Sequence, residues 1–179
     1  MKKHILFFAG ILLLLASSSL SAQSSNNVKK LIQSIRSHKN IEVSFTYQTK
    51  GDSELNDETK EGRMYFQNDA YKLIMEDQHV ISDGKTTWHY IVEDEEVMVG
   101  NATENDNPYT ILDDLERDSS DLHPTLDSKG NLKSLEIIID EGITLTINII
   151  EMKFDQDFPK GLFTFDEKAY PGVELIDMR

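Results

Sequence analysis

The chain contains no cysteine. That excludes disulfides, a thiolate nucleophile, and the cleavage-site cysteine that bacterial lipidation requires. Basic residues are scarce: 18 Lys and Arg stand against 32 Asp and Glu, a formal net charge of −14. Such a surface repels nucleic acid and anionic membranes. Acidity of this degree also keeps an exported protein soluble, so it names no partner by itself. No apolar run reaches the roughly 20 residues of a membrane-spanning helix. The longest, Ile5 to Leu15, follows Lys2 and Lys3 and precedes a small-residue stretch ending at Ala22. Those are the three parts of a secretory signal peptide, with cleavage expected after Ala22. The remainder, residues 23–179, is 157 residues long, enough for one domain with its own hydrophobic core. Loss of Lys2 and Lys3 would take its net charge to −16.

Catalytic motifs are missing too. There is no G-x-S-x-G, no H-E-x-x-H and no Gly-rich phosphate loop. Beyond His4, the histidines His38, His79, His89 and His123 lack metal-ligand spacing and read as exposed or hydrogen-bonded structural residues. Asp113, Asp114, Glu116, Asp118 and Asp121 cluster without the residue order of a calcium loop, and a solvated acidic face is the default. The carboxylates are abundant, but none is singled out as a glycosidase-type pair. The chain is therefore expected not to be an enzyme, with no catalytic residue, metal or cofactor.

What is present is periodicity. Val28, Leu31, Ile32 and Ile35 form the single stripe of an amphipathic helix of about three turns, which Ser25, Asn26 or Asn27 would cap. The period then changes to two at Ile41, Val43, Phe45 and Tyr47, a strand with one apolar face. Lys50 to Glu61 is charged and reads as a loop. Met64 to Phe66 and Ala70 to Met75 form a hairpin around Gln67, Asn68 and Asp69. A second hairpin is signalled by Asp83-Gly84 between two β-prone runs, where a type I′ turn with positive φ at both central residues is expected. A strand at Val97 to Val99 follows, and Asn107 and Pro108 open a short helix bearing Ile111, Leu112 and Leu115. Leu135, Ile137 and Ile139 lead through a turn at Glu141-Gly142 into a strong strand, Ile143 to Ile149. Phe163 to Phe165 and Val173 to Ile176 are expected to be the final strand pair. No repeat or low-complexity tract interrupts the pattern. The expected fold is mainly β (α+β): an incomplete antiparallel barrel or curved sheet with helices covering the concave face.

Ile81-Ser82-Asp83-Gly84-Lys85-Thr86-Thr87-Trp88-His89-Tyr90 resembles the V/I-S-D-G-K-T-x-W-x-Y segment of the LolA family of periplasmic lipoprotein carriers. Phe45-Thr46-Tyr47-Gln48 resembles that family's early F-T-Q-type strand, and Gly62-Arg63-Met64-Tyr65-Phe66 its G-x-L-x-V/F strand. The helix from Asn107 to Leu115 and the ending Phe163-Thr164-Phe165 with Pro171-Gly172-Val173-Glu174-Leu175-Ile176-Asp177 are similar as well, with no residue between proline and glycine. The order of these pieces spans most of residues 23–179.

The resemblance implies a soluble periplasmic carrier, expected as a monomer, that holds the acyl chains of lipoproteins in an apolar cavity and moves them from inner to outer membrane. Its partners would be acylated lipoproteins or other envelope lipids, an inner-membrane release complex and an outer-membrane acceptor, and no nucleic acid. The alternative is a lipid- or lipoprotein-binding sensor module of the envelope that transports nothing. Val43, Phe45, Tyr47, Tyr65, Tyr71, Leu73, Met75, Trp88 and Tyr90 are expected to line the sheet side of the cavity, and Ile111, Leu112 and Leu115 its lid. Family members carry an arginine after the G-x-L-x-V strand that helps hold the lid shut. Gln67, Asn68 and Asp69 stand there in this chain, so that role does not carry over.

Overall fold

A computed structural model describes residues 22–51, 58–103, 109–117, 121–140 and 142–179. The expected signal peptide, residues 1–22, lies outside the described residues apart from Ala22, as do Asn107, Pro108, Asp118 and Glu141. Helix α1 spans Ala22–Arg36 and buries Val28, Leu31, Ile32 and Ile35, the stripe expected from their spacing. It starts ahead of Ser25, Asn26 and Asn27, so these are helical residues and not caps.

The strands are β1 (Ile41–Lys50), β2 (Lys60–Gln67), β3 (Ala70–Ile74), β4 (Gln78–Ser82), β5 (Thr86–Ile91) and β6 (Glu96–Asn101), then, after helix α2 (Tyr109–Glu116), β7 (Leu122–Leu126), β8 (Leu132–Asp140), β9 (Ile143–Phe154) and β10 (Glu174–Asp177). They form one open ten-stranded sheet in the order β10-β6-β5-β4-β3-β2-β1-β9-β8-β7. All pairings are antiparallel except that of β10 with β6. The fold is thus mainly β with two short helices.

Local chemistry accounts for the turns. Asn68 takes φ 55° in the two-residue link between β2 and β3, a conformation Asn tolerates better than most residues. Between β4 and β5 only Gly84 has positive φ, at 85°. Asp83 instead holds the turn through its side chain, whose Oδ1 accepts from the Lys85 and Thr86 amides at 2.8 Å each. The expected type I′ geometry, positive at both Asp83 and Gly84, is therefore not formed.

One strand is additional to those singled out in the sequence, and one expected strand is not formed. Leu122–Leu126 is a strand despite Pro124, because β7 is an edge of the sheet and a missing N–H is tolerated there. Phe163 to Phe165 is not a strand but lies in turns and bends. After β9 the chain crosses the sheet to reach β6 on the far side, so its aromatic residues cover a face instead of joining a ladder. Arriving that way, β10 pairs parallel.

The strand β9 carries an irregularity that preserves its apolar side. Phe45 pairs with Ile149 and Ser44 with Glu151, which leaves Ile150 as the extra residue, 60% exposed. The bulge changes parity, so Leu145, Ile147 and Ile149 before it and Met152 and Phe154 after it share one face.

Candidate functional site

Register assigns each side chain to one of two faces. On the face that receives the helices, one row runs Ile91, Gln78, with Met75 at its continuation; a second runs His89, Val80, Leu73, Met64, Val43, Met152; a third runs Thr87, Ser82, Tyr71, Phe66, Ile41, Phe154. Val43, Phe45, Tyr47, Leu73 and Met75 are buried in one cluster with Val28, Ile32 and Ile35 of α1 and with Leu115 of α2. Leu112 packs against the same cluster. Tyr71 is buried on this face. The structure thus brings together most of the expected sheet-side residues and two of the three lid residues; the Ile111 side chain lies outside the described residues.

Tyr65, Trp88 and Tyr90 do not join them. Tyr65 pairs with Glu42 and Lys72, and Trp88 and Tyr90 pair with Ile81 and His79, which places all three on the opposite face. The alternation within β5 is as expected, but it is Thr87, His89 and Ile91 that point to the helices. Alternation fixes which residues share a side; only cross-strand register says which side that is.

The opposite face has its own cover. Phe165 is buried with Ile81, Val97 and Val99, and Trp88, Tyr90, Tyr170 and Val173 pack around them. Phe165 stacks on Tyr170 at 4.9 Å, Tyr170 meets Tyr90 at 4.8 Å, and Phe158 meets Tyr65 edge-on at 5.6 Å. His79 Nδ1 shares a hydrogen bond of 2.9 Å with the Tyr170 hydroxyl. Burial, then Lys72, holds the His79 pKa below its ordinary value, which favours the neutral imidazole. Between this segment and the β2–β3 and β4–β5 turns lies an open cleft of about 340 Å³ lined by residues including Gln67, Asp83, Phe158 and Phe163.

The helical face carries the larger apolar cluster, and among the described residues part of it stays exposed. Leu122, Leu126, Leu132, Ile147, Ile149 and Met152 pack against its core yet remain partly exposed. Tyr47 lies within it; its hydroxyl accepts from the Glu76 amide at 3.4 Å, and burial, with help from Asp77, pushes its pKa up to about 12. The helices are tied to each other by an ion pair between Arg36 of α1 and Asp113 of α2, with side chains 42% and 48% exposed. Sequence reasoning did not single out Arg36, because nothing local to either helix specifies the contact.

Three of the histidines are hydrogen-bonded: His38 to Asp155 at 2.8 Å, His79 to Tyr170, and His89 to Gln78 Oε1 at 2.6 Å. Among the described residues no three His, Asp or Glu side chains are grouped to hold a metal ion, and no helix is long and apolar enough to cross a membrane.

No protein-family model matches the sequence, and no curated protein matches it. Among solved structures, an uncharacterized conserved protein from Thermus thermophilus is similar with a TM-score of 0.52 at 9% identity, over 87% of this chain and 99% of that one. A LolA superfamily protein from Nitrosomonas europaea has a TM-score of 0.45 at 12% identity, over 83% and 100%. A DUF1329 family protein from Desulfovibrio piger has a TM-score of 0.44 at 9% identity, over 86% and 100%. At such identities the likeness to the Thermus protein is one of fold.

Proposed function

We propose that this is an exported periplasmic carrier that holds the acyl chains of lipoproteins against the helical face of its sheet and moves them from the inner to the outer membrane. The observation that carries the reading is the apolar floor formed by β1, β9, β8 and β7, which two short helices leave partly exposed. An acyl chain crossing water costs about 0.8 kcal/mol per CH₂, and an apolar floor removes that cost. The exposed ion pair between the helices contributes at most about 1 kcal/mol, so parting α2 from α1 to admit a chain meets little electrostatic resistance. The sequence resemblance to the LolA carriers points the same way.

Recovery of the protein from its own cells, followed by mass analysis of what accompanies it, tests the reading. Triacylated lipoproteins are expected. Free lipid alone would instead indicate a binding or sensor module, and a protein that returns empty and takes up no acylated peptide would refute binding altogether.

A further inference from the structure

An open sheet has two edges, and in this chain they differ. The Ile138 amide donates to the Asp121 carbonyl at 2.9 Å, and Pro124 stands opposite Leu135. By alternation Asp121, His123 and Thr125 bond to β8, so Pro124 turns its missing N–H to the outside, a guard against the addition of another strand. β10, at the other end, has no such guard, and among the described residues it has no strand on its outer side. The Glu174 amide donates to the Glu95 carbonyl at 3.0 Å and the Met178 amide to the Val99 carbonyl at 2.8 Å, so Glu174, Ile176 and Met178 bond toward β6. Leu175 and Asp177 therefore direct their N–H and C=O groups outward. Leu175 and Met178, 41% and 63% exposed, are two of the four exposed large hydrophobic residues among those described.

We propose that the outer edge of β10 takes an extended segment of a partner protein in which basic and apolar residues alternate. The alternation follows from the register. Leu175 shares one side of the sheet with Val97, and Glu174 shares the other with Glu96, so a strand added here meets an apolar side chain on one side and carboxylates on the other. Glu93, Asp94 and Glu95, exposed between β5 and β6, extend the negative charge. At the far end the Asp177 carboxylate is already taken by Arg179, whose Nε and amide donate to it at 2.9 and 3.0 Å, so the attraction is centred on Glu174. A second copy is a poor occupant, because it brings the same carboxylates and a further net charge of −14. The edge is at the other end of the sheet from the floor formed by β1, β9, β8 and β7, so the inference stands whether or not that floor holds an acyl chain.

The test follows the Leu175 and Asp177 amides by NMR while the peptide acetyl-Lys-Val-Lys-Val-Lys-amide is added. Both amides are expected to shift and to exchange with solvent more slowly, and acetyl-Glu-Val-Glu-Val-Glu-amide should leave them unchanged. Leu175→Pro removes one outward donor and keeps the bonds to β6, so it should bind the basic peptide about three- to tenfold more weakly, read at Asp177. Leu175→Lys keeps the donor but replaces the apolar contact with a charge that repels the peptide, and should weaken binding as well. Thermal melts matching the wild type establish that the variants are folded; if Leu175→Pro is not, Leu175→Lys decides. Undiminished binding in the folded variants, equal binding of the acidic peptide, or no response of these amides in the wild-type protein overturns the proposal. Concentration-dependent dimerisation through the same amides, in place of peptide binding, overturns the choice of occupant.

Discussion

Asn40 offers a demanding test of how the helical layer is fixed to the sheet. It is fully buried between α1 and β1, and its side chain grips the chain just after β9: Nδ2 donates to the Gln156 carbonyl at 2.7 Å and Oδ1 accepts from the Gln156 amide at 2.8 Å. Its own carbonyl accepts from the Asp155 amide at 3.1 Å. Asn40→Ala removes two hydrogen bonds worth about 0.5–1.5 kcal/mol each. Gln156 is exposed, so water recovers part of that, while the small void left by the amide adds to the loss. The expected destabilisation is about 2 kcal/mol, or about 4–8 °C in Tm for a chain of this size. Asn40→Asp sharpens the test because it keeps the acceptor but sets a carboxylate oxygen against the Gln156 carbonyl. Burial and that carbonyl raise the folded-state pKa of the new acid, so the folded form holds a proton that the unfolded form releases. Its stability relative to wild type is then greatest below the unfolded carboxylate pKa of about 3.9 and falls as pH rises through the folded value. Urea and thermal melts from acid to neutral pH measure both effects. A loss under about 0.5 kcal/mol in Asn40→Ala, or a pH-independent deficit in Asn40→Asp, would refute the clamp.

Two further predictions concern the core and the histidines. Gly62 faces Phe45 across β1 and β2, and a Cβ there would fall 2.4 Å from the ring, which is itself 6% exposed and tilted against Tyr47; Gly62→Ala should cost about 1–3 kcal/mol in urea melts, with most of the loss relieved in the Gly62→Ala/Phe45→Leu double variant. Independent, additive losses would contradict the contact. His79 and His89 both have pKa values lowered by burial, so the unfolded chain takes up protons near pH 6.5 before the folded one does. Stability should therefore be full above that value and decline as pH falls below it, and His79→Gln/His89→Gln should flatten the slope; identical slopes in the two proteins would show that these imidazoles are not its source.

Period and punctuation made most of the fold legible. Four apolar residues at helical spacing identified α1, strict alternation identified β1 and β9, and polar turn residues located both early hairpins. The parts that escaped depend on distant partners. Pro124 argues against a strand until β7 is known to be an edge. Phe163 and Phe165 fit a strand's composition, and only the crossing of the chain to β6 turns them into a cover for Trp88 and Tyr90. The candidate site divides along the same line. The residues of β1 and β3 were assigned to the helical face correctly because the helix stripe and the β1 stripe have one obvious way to meet. Tyr65, Trp88 and Tyr90 were drawn to that face by their aromatic character, and only register moves them to the other.

On the proposed carrier reading, the departure from the LolA pattern at Gln67, Asn68 and Asp69 bears on how the helical layer would open. These residues form the β2–β3 turn, and Gln67 shares the side of Arg63 and Tyr65, away from the helices, so no substitute for the family's arginine is placed there. A cation instead reaches α2 from α1, through Arg36 and Asp113. The two arrangements differ physically. A contact from sheet to lid resists lifting of the lid, whereas a contact between helices holds them to each other and leaves their grip on the sheet to Val28, Ile32, Ile35 and Leu115. Buried apolar side chains contribute about 1.5–3 kcal/mol each, well above an exposed ion pair. On the proposed carrier reading, α2, which buries Leu115 among its described side chains, is expected to yield before α1, which buries four hydrophobic residues.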